Sequence, residues 1–183
     1  MQRRRNLQPK DQQEKHLGLD KNGLNVVLSG LPGMKISALV PLVQAMVNCF
    51  GLPHALVIHC GGNAIGMVSI REVLKHLIYA TFIVSKMLPN SLLIYSQILT
   101  RKKWRYNSNL KAMERARKRI NRGIRTYCYK SNAKVITHVD LQDGLKALYA
   151  DDGTHLSLWE TPFSLMQFNV VLSNLFYLVK VFF

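Results

Sequence analysis

Toward the carboxyl end of the chain, Asp152 stands three residues before His155 in the run Asp151-Asp152-Gly153-Thr154-His155-Leu156-Ser157. A carboxylate at that spacing can orient an imidazole and stabilise its protonated form, leaving the ring to act as general base toward a nucleophile. On its own the pair is a weak signal, and a surface turn is its commoner cause. A second candidate lies far upstream at Gly61-Gly62-Asn63. An Asn in a glycine-rich loop can aim its side-chain amide at a developing oxyanion, although Gly-Gly-Asn is also ordinary turn chemistry. A third glycine-rich corner, from Gly30 to Met34, contributes Gly30 and Gly33.

Other reactive side chains are scattered. Cys49, Cys60 and Cys128 are odd in number and none is spaced as CxxC. They read as three reduced thiols of a cytosolic or nuclear protein, with neither a disulfide framework nor a zinc site. His16, His54 and His76 have no carboxylate or cysteine at metal-ligand spacing. No metal or cofactor is therefore expected. His59, inside an apolar run, and His138, near the end of another, read as structural histidines.

Charge is concentrated in one place. The formal net charge is +15, and residues 101–130 hold 12 Lys and Arg against Glu114 alone. In that segment Leu110, Met113, Arg117, Ile120, Ile124 and Tyr127 recur at steps of three and four, the period of one helix face. Arg117 is the exception on an otherwise apolar stripe. The plain reading is a core-facing helix with a solvated basic back. The functional reading is an electrostatic footprint for phosphate, using Arg101, Lys102, Lys103, Trp104, Arg105, Arg117, Lys118 and Arg119. Trp104 would stack on a base. No zinc finger, RNP motif or leucine zipper is present, so sequence-specific recognition is not expected.

The elements that must position these residues alternate along the chain. Short apolar runs at Asn25–Ser29, Ala55–Cys60, Ser91–Leu99 and Ala133–Val139 read as strands. Helical spacing covers Ile36–Asn48, Val68–Lys86, the basic segment and Thr161–Tyr177. Strands apolar on both faces and alternating with helices specify a parallel sheet covered on both sides, a three-layer α/β/α sandwich. In such folds functional residues gather at the carboxyl ends of the strands. That rule selects Gly30–Met34, Gly61–Gly66 and the loop after Val139. Length and composition fit: 183 residues, 48% hydrophobic and 19% charged, exclude a disordered or collagen-like chain. Arg3, Arg4 and Arg5 are not followed by the apolar stretch of a secretory signal, which predicts an intracellular protein. The greasy carboxyl end is interrupted by Gln167, Asn169, Asn174 and Lys180. It reads as a last helix and an apolar run-out, with no membrane partner expected. The domain plan is a polar basic segment over 1–20, an α/β domain over 21–178 and an apolar tail over 179–183.

The order Gly-x-x-Gly-Met, VIHCGGN, YSQILTRKKWRY, an NRGI helix and DGTHLS resembles the SGNH hydrolases, the GDSL-type esterases, in particular their vertebrate copies associated with mobile elements. The resemblance spans about Leu17 to Ser173, most of the chain. It implies an oxyanion hole with Gly33 or Gly30 and Asn63, His155 as base, Asp152 as its orienting partner, and a small ester as substrate. It also exposes losses. The nucleophile block should lie upstream of Leu17, yet residues 1–24 contain no serine. Ser29 falls just before the second-block glycine and Ser37 in the following helix. Ala64 stands where the family has Asp, and Trp159-Glu160-Thr161 replaces the usual glycine and asparagine. The strand carrying the nucleophile normally lies inside the sheet, between the second and third. Without it, Asn25–Ser29 should pair directly with Ala55–Cys60 or stand poorly ordered. The functional expectation is a truncated, inactive esterase-like domain, a pseudoenzyme. One alternative is the same fold retaining activity, through an unrecognised serine or a first block supplied from outside this chain. The other is a basic α/β module that binds nucleic acid without sequence preference through residues 101–130.

Overall fold

A computed structural model describes residues 26–29, 31, 33–138 and 179–182. Strand β1 is Val26–Ser29, followed by a single 3-10 turn at Ile36–Ala38 that runs into helix α1, Leu39–Phe50. Gly51, at φ 75°, ends α1 in a conformation that costs a glycine little. Strand β2 is Ala55–Ile58, a second 3-10 turn covers Gly62–Ala64, and helix α2 is Ile70–Met87. The start of α2 is fixed by a reciprocal capping box. Ser69 Oγ accepts from the Glu72 backbone N–H, and the Glu72 carboxylate accepts from the Ser69 N–H. Strand β3 is Leu92–Ser96, helix α3 is Leu110–Lys130 with Asn109 as its N-cap, strand β4 is Lys134–Ile136 and strand β5 is Val179–Phe182.

Among the described residues all the strand pairs are parallel, in the order β1-β5-β2-β3-β4. The parallel α/β class is therefore the one the apolar runs predict. Ala55–Ile58 is buried at every position, because such a strand has no wet face. Leu56, Ile58, Leu93 and Tyr95 point into a core shared with α1, α2 and α3. Val57 and Ile94, on the alternate positions, are fully buried too. The helices follow one another as neighbours, α1 against α2 and α2 against α3. Leu39, Val43, Val73, Leu77 and Val84 are their inward residues, each stabilising the fold by roughly 1.5–3 kcal/mol through burial.

Two expectations are corrected. The sequence has Asn25–Ser29 either pairing directly with Ala55–Cys60 or standing poorly ordered. Instead β5 lies between them, with Val26 opposite Val179 on one side and Ala55 opposite Val179 on the other. The inner position is filled by the carboxyl-terminal segment, because an open slot between two parallel strands would leave both ladders' N–H and C=O groups unpaired. Val179–Phe182, assigned by the sequence to an apolar tail, is thus a strand of the sheet. The second correction is Arg117 within the basic surface. It lies on the inward face of α3 beside Met113, Ile120, Asn121 and Ile124, and is 5% exposed. Thr161–Tyr177, the last helix expected from the sequence, lies outside the described residues.

Candidate functional site

The carboxyl ends of β2, β3 and β4 converge on three side chains. His59 follows β2 directly, Ser96 is the last residue of β3 and His138 lies two residues beyond β4. Ser96 Oγ sits 2.9 Å from His59 Nδ1 and 2.7 Å from His138 Nε2. The two rings are edge to face, with centroids 6.3 Å apart. A hydroxyl has one proton and two lone pairs, so Ser96 can donate to one imidazole while accepting from the other. Burial first, then the charges of His138 and Arg101, lower the His59 pKa to about 4, against the opposing pull of its Ser96 hydrogen bond. His59 is neutral at neutral pH. The chain of groups can pass or hold a proton, and Ser96 is fully buried.

Around this cluster the loop after β2 builds a second set of contacts. Tyr95 donates its phenol proton to the Cys60 carbonyl, 2.9 Å away, which ties the loop to β3. Gly61 takes φ 102°, a region that side chains avoid. Gly62 lies under Arg101, and a Cβ there would fall 2.6 Å from Arg101 Nη2. Arg101 donates from Nη1 to Asn63 Oδ1 at 3.2 Å, and its guanidinium lies 5.4 Å from the Trp104 ring centroid. Asn63 in turn donates its amide N–H to the Met34 carbonyl at 3.4 Å. The structure therefore brings together two of the predicted blocks, the Gly33–Met34 corner with Gly33 at φ 69° and Asn63.

The loop carrying Arg101 is held from α3. Asn121 accepts the Ile98 N–H at 3.0 Å and donates back to the Ile98 carbonyl at 2.9 Å. Arg117 Nη1 donates to the same carbonyl at 2.7 Å, and Arg117 Nε donates to Glu114 at 2.8 Å. Burial alone would raise the Glu114 pKa; the hydrogen bonds and charge of Arg117 outweigh it and hold the carboxylate below its ordinary range. This explains why an arginine sits on an apolar stripe, and it removes Arg117 from any outward-facing phosphate site. Trp104 is corrected in the same way. It is 8% exposed and packed with Arg101, so its ring is not an open stacking platform. Arg101 and Lys102 are half-buried, while Lys103, Arg105, Lys118 and Arg119 are exposed.

Gly30, Asp152 and His155 lie outside the described residues. Sequence reasoning missed Ser96, although one signal was available: a hydroxyl ending the otherwise apolar run Leu92–Ser96, with a histidine just past each neighbouring strand. Among the described residues no group of three or more His, Cys, Asp and Glu converges as a metal site. Among them, too, no helix is long and apolar enough to cross a membrane.

No protein-family model matches the chain, and no curated protein does. Solved structures do. A GDSL-like lipase from Bacteroides thetaiotaomicron is similar with a TM-score of 0.59 and 13% identity, over 84% of this chain and 88% of that one. The psychrotrophic esterase EstA from Pseudoalteromonas, solved inhibited by monoethylphosphonate, gives 0.57 and 15%, over 78% and 73%. A lipase/acylhydrolase from Enterococcus faecalis gives 0.54 and 13%, over 82% and 96%. The fold is that of the SGNH, GDSL-type lipases, esterases and acylhydrolases.

Proposed function

We propose that this chain is an SGNH-fold domain without ester-hydrolase activity, a scaffold whose catalytic constellation is incomplete. The observation that carries the reading is the strand between β1 and β2. That is the sheet position at which the family resemblance puts the nucleophile strand, and here it is Val179-Lys180-Val181-Phe182, which has no hydroxyl or thiol. Asn63 supports it. The oxyanion-stabilising amide of the resemblance donates to the Met34 backbone carbonyl, and its oxygen is engaged by Arg101. Asp152 and His155 would then be an acid–base pair with no nucleophile to activate. A second reading, compatible with the first, gives the basic segment a nucleic-acid partner; the exposed cations of α3 favour it.

Fluorophosphonate labelling of the folded full chain tests the first reading, with His155→Ala and Ser96→Ala as controls. The expected result is no labelled serine and no turnover of short-chain esters. A labelled serine whose signal disappears in His155→Ala would establish a working Ser–His pair and overturn the reading. Label on Ser96 would do so as well, by showing that the buried hydroxyl is reached.

A further inference from the structure

Along α3 the exposed cations form a line. Lys111, Arg115, Lys118, Arg119 and Arg122 are all exposed, and at the α-helical 3.6 residues per turn they fall within an arc of about 100°. This arc lies opposite the face that buries Met113, Arg117, Ile120, Ile124 and Cys128. From Lys111 to Arg122 the line runs about 16 Å, with a cation roughly every 4 Å on average. At its start it joins an open groove of about 570 Å³ where Arg101 and Lys102 face Lys111 and Arg115. The acidic group of that groove, Glu114, is bound to Arg117. Seven residues beyond Arg122, on the same side of the helix, Tyr129 is 70% exposed.

Resting on the nucleic-acid reading of the basic segment, we propose that this line is a binding surface for single-stranded nucleic acid, with the phosphates on the α3 cations and a base stacked on Tyr129. Repeated phosphates match repeated cations, and a positive track with an aromatic platform is how strands are held without sequence preference. An anionic membrane is a poorer fit. Such helices insert apolar residues beside their basic ones, and between Lys111 and Arg122 every exposed residue is a cation. Arg101 and Lys102 extend the track toward the sheet end of the molecule, whereas Trp104 stays packed with Arg101 and serves the loop.

The experiment is titration of the full chain with fluorescent oligo(U) and with a duplex of equal length, across a salt series. With about four phosphates neutralised, the log–log salt slope for the single strand should be near −3, so affinity falls about 60-fold between roughly 50 and 200 mM salt. Arg115→Ala/Arg119→Ala/Arg122→Ala should flatten the slope by about 2 and weaken binding at low salt at least tenfold. Tyr129→Ala should weaken single-strand binding several-fold, leave the slope unchanged and abolish the preference over duplex. Arg115, Arg119, Arg122 and Tyr129 are exposed, and circular dichroism is the check that each variant is folded before it is titrated. Salt-independent binding, or no binding, overturns the proposal. So does binding lost with Arg3→Ala/Arg4→Ala/Arg5→Ala instead of the α3 variant, equal duplex affinity with Tyr129→Ala neutral, or binding to phosphatidylserine vesicles but not to RNA. Serine labelling is read separately, so failure here and failure of the hydrolase reading are distinguishable.

Discussion

Ser96 has one proton to give and an imidazole on either side to take it. The hydroxyl therefore fixes complementary tautomers on His59 and His138, and a proton added at the ring nitrogen that accepts from Ser96 breaks the pattern. His59 carries the measurable consequence. Its folded pKa, about 4, lies below the ordinary 6.5 because burial, His138 and Arg101 all oppose its charge. Between those values the unfolded chain binds the proton that the folded one refuses, so the stability from neutral His59 is complete above pH 6.5 and is lost as pH falls toward 4. The loss should be about 1–3 kcal/mol over that range. Denaturant unfolding at a series of pH values reads it, and His59→Gln should show a shallower acid dependence than the parent. Equal slopes in the two proteins would mean that the ring protonates freely in the fold. Ser96 escaped sequence reasoning for a physical reason. Its partners lie 37 and 42 residues away along the chain, and only parallel pairing of β2, β3 and β4 makes them neighbours.

At the scale of elements, α3 shows which patterns a sequence carries openly. Its 3.6-residue stripe survives intact, and Met113, Ile120 and Ile124 are buried as spaced. Two departures have a common cause. Arg117 and Asn121 are polar residues turned inward because the Ile98 backbone, leaving β3, needs partners that the sheet no longer supplies. Leu110, which starts the predicted stripe, is instead 49% exposed in the first turn. Arg117→Met should cost about 1–3 kcal/mol, because it takes the main partner of the half-buried Glu114 carboxylate and one of the two side-chain donors of the Ile98 carbonyl. Arg117→Met/Glu114→Gln should recover part of that loss, since the uncompensated charge goes with its partner. Lys118→Ala, an exposed residue 3.9 Å from the same carboxylate, should change stability by less than about 1 kcal/mol. Chemical denaturation of the three variants orders them. If Arg117→Met is no worse than Lys118→Ala, the clamp on the loop before Arg101 is not what holds it.

For the molecule as a whole, the sheet's class was readable and its order was not. Ala55–Ile58 and Leu92–Ser96 announce a parallel sheet by being apolar on both faces. Nothing local in Val179-Lys180-Val181-Phe182 says that four residues with a lysine among them will enter the middle of it. That placement follows from the edges left by β1 and β2, a property of distant segments. Among the described residues β5 is the one ladder that joins β1 to the rest, since β1 pairs with β5 alone and β5 pairs with β2. Deleting residues 179–183 should therefore do two things at once. The amides of Val26–Ser29 should lose hydrogen-exchange protection as β1 detaches, and Ala55–Ile58 should become an apolar open edge that draws chains together. The β2–β3–β4 ladders, paired independently of β5, should keep their protection. Val181→Pro tests the same ladder without shortening the chain, because proline removes a donor and is not tolerated inside a central strand. Exchange mass spectrometry with light scattering reads both outcomes. Unchanged protection at Val26–Ser29 in both variants would mean that β1 is held by something other than this strand, and the inner position of the sheet would then have another occupant.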